Sequence, residues 1–290
     1  MPPVAQVPDA LRSEVFRGSA AVRSGVLTRR QLRGDTWRRL FHDVYVHSSV
    51  PLTHELRVRG AALLLPTAVV TGRSAAVLWG VELADTGDDV EVTLPPGAHQ
   101  VRLTGLVTRR AVLDRAQLGR RRGIPVTTPE ATALRLASVL PRDLAVAAVD
   151  QLVATGVVDL APIRALASGA RGPGSARARE VAGLADGLAE SPQETRLRLL
   201  IGRSSLPTPV AQYRVLVDGR FVARVDFAWP ERRVALEYDG LWHAEPGQFA
   251  RDRQRLNRLQ DAGWRVIFVT AADLQRPAEL LARIAAALAG

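Results

Sequence analysis

The 290-residue sequence predicts a mixed α/β protein with an N-terminal winged helix-turn-helix, an α+β middle region and a C-terminal αβββαβ core followed by a last helix. Three observations lead to this fold class. The first 50 residues contain helix-start signals followed by a β-branched run, and the middle region mixes strand-like and helix-like runs. In the last 100 residues, alternating apolar runs are flanked by helix patterns. The expected domains are 1–52, 53–167 and 185–290, with a Gly-rich linker over 168–184.

The first 50 residues contain three side chains that can cap helices, each ahead of a helix-compatible segment. Gly34 is suited to end the second of these helices. Helices followed by a strand are typical of a winged helix-turn-helix, and a small three-helix bundle with a solvated arginine face is the alternative. The predicted helices are Asp9–Arg17, Arg29–Arg33 after Thr28, and Thr36–Phe41 after Asp35, and the strand is Val44–Val46.

The positive charge of the chain points to an anionic polymer as partner, with DNA first. The formal net charge is +10, and all 39 basic residues are arginine. Genomic base composition explains the absence of lysine as well as a functional reason does, but it does not explain the excess of positive charge. That excess lies mainly in the first 184 residues, which hold 24 Arg and 16 Asp or Glu. The predicted DNA contacts of this region are Arg29, Arg30, Arg38 and Arg39.

Several classes of protein are excluded by composition. The chain contains no cysteine, so disulfides, thiolate metal sites and cysteine nucleophiles are absent. We find no signal-peptide pattern and no apolar run of about 18 residues, which predicts a cytoplasmic protein that does not enter membranes. The oligomeric state, a homodimer included, is left open.

The last 100 residues show the clearest order of elements. Ser191-Pro192 opens a helix, and Asp218-Gly219 is a strong hairpin signal between two strand patterns. Gly263 ends a later helix. The predicted elements are a helix from 191 to about 201, strands at about 210–217, 221–228 and 233–239, a helix at 248–262, a buried strand at 264–270 and a helix at 277–288.

Two carboxylates in these strands are poor choices for stability. If the second hairpin is centred between Glu231 and Arg232, Asp226 faces Glu237 across the strands, with Cβ atoms about 4.5–5.5 Å apart. Like charges at that distance destabilise a sheet, so we expect a positive group beside them. A divalent cation is the natural candidate.

The residues around this pair resemble the PD-(D/E)XK nuclease superfamily, and more closely a family related to very-short-patch-repair endonucleases. The resemblance covers about residues 190–275. The first half of the chain resembles the abortive-infection antitoxins of type IV toxin–antitoxin systems, in which a winged helix-turn-helix binds DNA. The nuclease-like motifs are Glu194, Val225-Asp226-Phe227, Leu236-Glu237-Tyr238-Asp239-Gly240, His243, Asp252-x-x-Arg255 and Ala262-Gly263-Trp264-Arg265-Val266; the antitoxin-like motifs are 25–32, 43–46, 74–80 and 128–130.

The nuclease resemblance implies a site that binds Mg²⁺ or Mn²⁺. Asp226 and Glu237 would be metal ligands, joined by the carbonyl of Tyr238. Asp239 stands where the superfamily has Lys, and it can bind metal or act as a base but cannot supply positive charge. This departure favours either stronger metal dependence or an inactive site.

Further candidate residues flank the pair. Glu194 is either a site residue or the partner of Ser191 in a capping box. His243 lies in a loop after Asp239 and suits proton transfer, although a lone loop histidine is usually solvated. One stripe of the helix 248–262 is basic and suited to phosphates, and it comprises Arg251, Arg255 and Arg258.

Three functions follow from these patterns, the third being an RNA nuclease or a toxin-associated effector. The leading hypothesis is a metal-dependent DNA endonuclease, with Asp226, Glu237, Asp239, His243 and Glu194 as catalytic residues, recruited to DNA by the winged helix. The alternative is a DNA-binding regulator or antitoxin whose nuclease-like domain is not catalytic. The absent Lys motivates the alternative.

Overall fold

The computed structural model describes residues 11–99, 103–239 and 248–290, and side chains from 253 onward within the last range. The described chain divides into two compact units. The first unit comprises the residues up to Val139 together with Thr155–Arg179, and the second comprises Leu140–Ala154 and Glu180–Gly290. The predicted mixed α/β class is confirmed.

The start of the first unit is a winged helix-turn-helix. Its elements are β1 Phe16–Arg17, α1 Gly18–Arg23, α2 Arg29–Leu32, β2 Trp37–Phe41 and β3 Val44–His47. The three strands form a sheet of order β1-β3-β2, and the two short helices lie between β1 and the β2–β3 hairpin. As predicted, Thr28 caps the second helix through its side chain.

The predicted helix Thr36–Phe41 is wrong, because this segment forms strand β2. Trp37 and Phe41 are both buried, and the register with β3 shifts between Arg39 and Phe41, as at a β-bulge. Pairing with β3 places Trp37 opposite His47. The predicted helix Asp9–Arg17 begins outside the described residues, and its last two residues form β1.

The rest of the first unit is built on a five-stranded mixed sheet. The elements are α3 His54–Leu64, β4 Val69–Val70, α4 Gly72–Leu78, β5 Val90–Leu94, β6 Leu106–Arg110, β7 Leu118–Arg121, β8 Ile124–Thr127, α5 Pro129–Val139 and, after α6 (Arg142–Ala154) of the second unit, α7 Leu160–Gly169. The strand order is β6-β5-β4-β8-β7. Thr128 caps α5, which has Pro129 at its start.

The second unit has the predicted αβββαβα order with one short helix added before the last. It is preceded by α6 and by α8, whose residues up to Arg179 belong to the first unit. These later elements are α8 Ser175–Leu184, α9 Pro192–Gly202, β9 Val210–Val217, β10 Arg220–Trp229, β11 Val234–Tyr238, α10 Gln248–Asp261, β12 Arg265–Val269, α11 Ala271–Leu274 and α12 Pro277–Ala289. The four-stranded sheet has the order β12-β11-β10-β9, antiparallel except for the β11–β12 pair. The predicted linker 168–184 therefore includes a helix, α8.

The predicted domain boundaries placed the segment that forms helix α6 in the middle domain, 53–167. It belongs to the second unit, where it contacts α9. The carboxylate of Asp150 is fully buried and accepts hydrogen bonds from Thr195 and Arg198 of α9, both at 2.8 Å. A buried carboxylate needs such partners, so α6 is fixed to this unit.

The sheet of the second unit carries a hydrophobic core on each face. One face packs against α9 and α12 through a core that includes Leu197, Phe227 and Ile284. The other face carries a smaller core that includes Ala235 and Leu259, the latter from α10. The sheet therefore fixes the positions of the candidate carboxylates relative to α9 on one side and α10 on the other.

None of the helices in the described ranges combines the length and the apolar composition that a membrane span requires.

Candidate functional site

The predicted register of strands β10 and β11 is observed. Phe227 pairs with Leu236 and Ala228 with Ala235, so Asp226 and Glu237 occupy the next position along the same ladder. The Asp226 carboxylate accepts a hydrogen bond from the backbone N–H of Tyr238 at 2.7 Å. Asp226 is half-buried and Glu237 is 6% exposed.

The positive group expected beside Glu237 is the guanidinium of Arg255 on α10. Both terminal nitrogens of Arg255 donate to the two carboxylate oxygens of Glu237, each at 2.6 Å. Such bidentate pairs are among the strongest charge-assisted hydrogen bonds in proteins. Arg255, which the basic stripe of α10 predicted as a phosphate contact, therefore neutralises a carboxylate of the site.

Glu194 lies in the first turn of α9, three residues after Ser191. Its backbone N–H donates to the side chain of Ser191, which caps the helix. Its carboxylate does not complete the box with Ser191 but accepts from the backbone N–H of Glu190 at 2.8 Å and from the Gln212 side chain at 3.1 Å. The side chain thus points to β9, next to β10.

Burial raises the pKa of both Glu194 and Asp226. For Glu194, desolvation is the largest cause, and the negative charge of Asp226 raises its pKa further. For Asp226, desolvation also dominates the raised pKa, while the hydrogen bond from Tyr238 opposes it. Carboxyl groups that share a raised pKa and a negative neighbour are typical of functional sites, although structural networks also produce them.

This pKa shift predicts that Asp226→Asn stabilises the protein at neutral pH. An acid whose pKa is raised by folding contributes stability below its ordinary pKa, and that contribution is lost as the pH rises through the raised value. The amide keeps an acceptor for the Tyr238 N–H and carries no charge. The thermal midpoint of the variant should exceed that of the wild type at pH 7, and the difference should vanish at a pH of about 3, below the ordinary pKa of the carboxyl group.

The exposed Asp239→Asn is the control for that comparison and should leave the midpoint unchanged at both pH values. If Asp226→Asn lowers the midpoint at pH 7, the charge of Asp226 is stabilising and our assignment of its environment is wrong.

The remaining predicted site residues do not all join the cluster. Asp239 is exposed, and its backbone N–H donates to the carbonyl of Val269 at 2.7 Å. His243 and the side chain of Arg251 lie outside the described residues, and Arg258 is exposed on α10. Within the part of the chain that the structure describes, no three His, Asp or Glu side chains converge closely enough to hold a metal ion.

The cluster contains two residues that the sequence did not indicate. Gln212 binds Glu194 from β9 with a backbone φ of 51°, a left-handed conformation that is uncommon for residues other than glycine. Arg224 forms an ion pair with Glu190 at 2.6 Å. Neither residue belongs to one of the motifs, so only the folded sheet brings them to the site.

The four predicted DNA-binding arginines of the winged helix fall into two groups. Arg29 and Arg30 of α2 are exposed, as is Arg39 of β2, and none of the three forms an ion pair with a described residue. Arg38 instead donates to the backbone carbonyls of Ser48 and Val50, both at 3.1 Å. Its role in the structure is to hold the segment after the wing.

Comparison with known proteins identifies one family model and two relatives that are similar to this chain. Residues 67–184 match the family model of the AbiEi antitoxin C-terminal domain. Two Mycobacterium tuberculosis proteins, Uncharacterized protein MT2308 and Uncharacterized protein Rv2248, are each 36% identical over 225 residues, covering 75% of this chain and 82% of the relative. The chain belongs to their family.

The predicted antitoxin resemblance of this family member is confirmed for the motifs that lie inside the AbiEi domain. In the motif 74–80, the Ser74 hydroxyl lies 2.8 Å from the buried ring of His54 and accepts from the backbone of Glu91. Trp79 donates to the carbonyl of Thr127 at 2.9 Å. These contacts join α4 and the residue that follows it to α3, β5 and β8, so the motif connects four elements of the domain.

A solved structure, the RV2827C protein from Mycobacterium tuberculosis, is also similar, with a TM-score of 0.41 and 18% identity over 71% of this chain and 84% of that chain. The AbiEi match ends at residue 184, so the nuclease resemblance of the second unit stays a prediction.

Proposed function

We propose that this AbiEi-domain protein is a DNA-binding regulator of the antitoxin type, and that its C-terminal nuclease-like unit is not catalytic. The observation that carries the proposal is the winged helix, on which Arg29, Arg30 and Arg39 are exposed without carboxylate partners in the described structure. Arginines in this state are suited to DNA phosphates.

The AbiEi antitoxin domain that follows the winged helix supports the same proposal. The charge distribution agrees with it, since the positive excess of the chain lies in the first 184 residues. A protein that uses arginines for phosphate contact binds DNA with strong salt dependence, because each contact releases counterions.

The geometry of the carboxylate cluster supports a non-catalytic second unit. Glu237 is occupied on both oxygens by Arg255, and Asp239 stands in place of a basic residue. The described side chains alone do not fit a metal centre. The charge of Glu237 is instead balanced within the protein.

Selection of binding sites from a random duplex library tests this proposal. The full-length protein should enrich one sequence motif, and the enriched duplex should bind more tightly than a scrambled duplex at the same salt concentration. If no motif is enriched and all duplexes bind equally, the protein is not a sequence-specific regulator.

A metal-dependent DNA endonuclease is the second candidate. It is favoured by the αβββαβ order, by the placement of Asp226 beside Glu237, and by the raised pKa of Asp226 and Glu194. Mg²⁺ or Mn²⁺ would be its cofactor. The described residues alone do not form the metal site, so this candidate requires release of Glu237 from Arg255.

A further inference from the structure

We infer that the outer face of the β9–β10 hairpin is a second DNA-contacting surface, located on the C-terminal unit. This hairpin face comprises Arg214, Leu216, Phe221 and Arg224. The inference rests on the proposed DNA-binding function and deepens it. It assigns phosphate contacts to the second unit, which does not contain the winged helix.

The four residues share one face because their neighbours along the strands are turned inward. Val215 and Ala223 are buried, at 0% and 2% exposure, in the core beneath α10. Since side chains alternate along a strand, Arg214, Leu216 and Arg224 point to the opposite side. The guanidinium of Arg214 lies 5.3 Å from the centre of the Phe221 ring, which places Phe221 on the same face.

The cross-strand register brings two positive charges together. Arg214 and Arg224 are direct partners across β9 and β10, and both are exposed. Like charges in this position destabilise a sheet. Glu190 forms an ion pair with Arg224, whereas Arg214 forms none with a described carboxylate. The pair therefore keeps one uncompensated positive charge, which an external phosphate would neutralise.

The apolar part of the face is also unusual. Phe221 and Leu216 are cross-strand partners, and they are 57% and 54% exposed. Within the described structure, β9 is an edge strand of its sheet. Natural edges carry charges that oppose association, and here the arginine pair lies beside an exposed apolar pair. This combination suits a DNA backbone, whose phosphates alternate with apolar sugar surfaces.

Charge complementarity decides for DNA over a second copy of the chain. Antiparallel pairing of β9 with β9 of a second copy would bring the two Arg214 side chains close together, and their positive charges would repel each other. The turn at the end of the hairpin, Asp218-Gly219, has positive φ at both residues, as a tight two-residue turn requires. The tight turn therefore fixes the two strands that carry the hairpin face.

Salt-dependent binding of the full-length protein to a duplex of about 30 base pairs tests the inference. Arg214→Ala should reduce the slope of log K against log salt by about 0.9, and should weaken binding about fivefold at about 150 mM salt, as loss of one phosphate contact requires. Phe221→Ala should weaken binding with an unchanged slope.

Arg232→Ala is the charge-matched control. Arg232 is exposed in the turn at the other end of β10, and its removal should leave both the slope and the affinity unchanged. Thermal midpoints equal to that of the wild type show that the variants fold. The same assay on Arg29→Ala/Arg30→Ala measures the winged helix separately.

The outcomes separate the inference from the proposed function. If the winged-helix variant loses binding while Arg214→Ala and Arg232→Ala both match the wild type, the regulator proposal stands and the hairpin inference is overturned. If only the hairpin variants lose binding, the inference stands and the winged-helix proposal fails. A wild type that binds no duplex overturns both. A change of oligomeric state in Phe221→Ala without a change in DNA affinity identifies a protein contact and also overturns the inference.

Discussion

Arg29→Ala/Arg30→Ala in the full-length protein is expected to weaken DNA binding about 30-fold at about 150 mM salt and to reduce the salt slope by about 1.8, the effect of two lost phosphate contacts. Both side chains are exposed on α2 and neither is used in an ion pair within the described structure. Their removal should therefore change binding without changing stability. Fluorescence anisotropy over a range of salt concentrations measures the affinity and the slope.

Another arginine of the winged helix provides a contrast. Arg38 donates hydrogen bonds to the carbonyls of Ser48 and Val50. Arg38→Ala should therefore lower the thermal midpoint as well as the affinity for DNA. If Arg29→Ala/Arg30→Ala binds the duplex as tightly as the wild type, with an unchanged salt slope, α2 does not contact DNA.

Asp150→Ala is expected to destabilise the second unit by about 3–5 kcal/mol, the usual cost of removing one partner of a buried charge pair. The Asp150 carboxylate is fully buried. One oxygen accepts from the backbone N–H groups of Asp186 and Gly187, both at 2.9 Å, and the other from Thr195 and Arg198. The variant would leave these donors without their acceptor. Urea unfolding, with hydrogen exchange of α9 peptides to report the second unit, measures the loss.

Asp143→Ala on the same helix is the matched control. Its carboxylate is 39% exposed and pairs with Arg203, so its removal should cost less than about 1 kcal/mol. Equal losses for the two variants would show that burial of the Asp150 network does not determine stability.

The C-terminal elements can be predicted because their signals are local. Alternating apolar residues mark β9, β10 and β11, and Asp218-Gly219 fixes the first hairpin. The centre predicted for the second hairpin is correct, and it places Asp226 beside Glu237. In contrast, the segment from Thr36 to Phe41 follows a helix-cap signal, and the pairing of this segment with β3 overrides that signal.

The candidate site can be predicted only in part, since several of its contacts join distant segments. A helical stripe predicts that Arg255 faces outward to phosphates, but no periodicity shows that it reaches Glu237 across 18 positions of sequence. The role of Asp150 is hidden for the same reason, because its partners lie 36 to 48 residues away. Such contacts depend on the packing of whole elements.

Incubation of supercoiled plasmid with the full-length protein and Mn²⁺, followed by agarose electrophoresis before and after removal of protein, tests the central claim most directly. We predict that the plasmid is retarded while the protein is present and returns to the supercoiled position once the protein is removed. Nicked or linear plasmid formed by the wild type, and not by Asp226→Ala, would contradict the claim and identify the protein as an endonuclease.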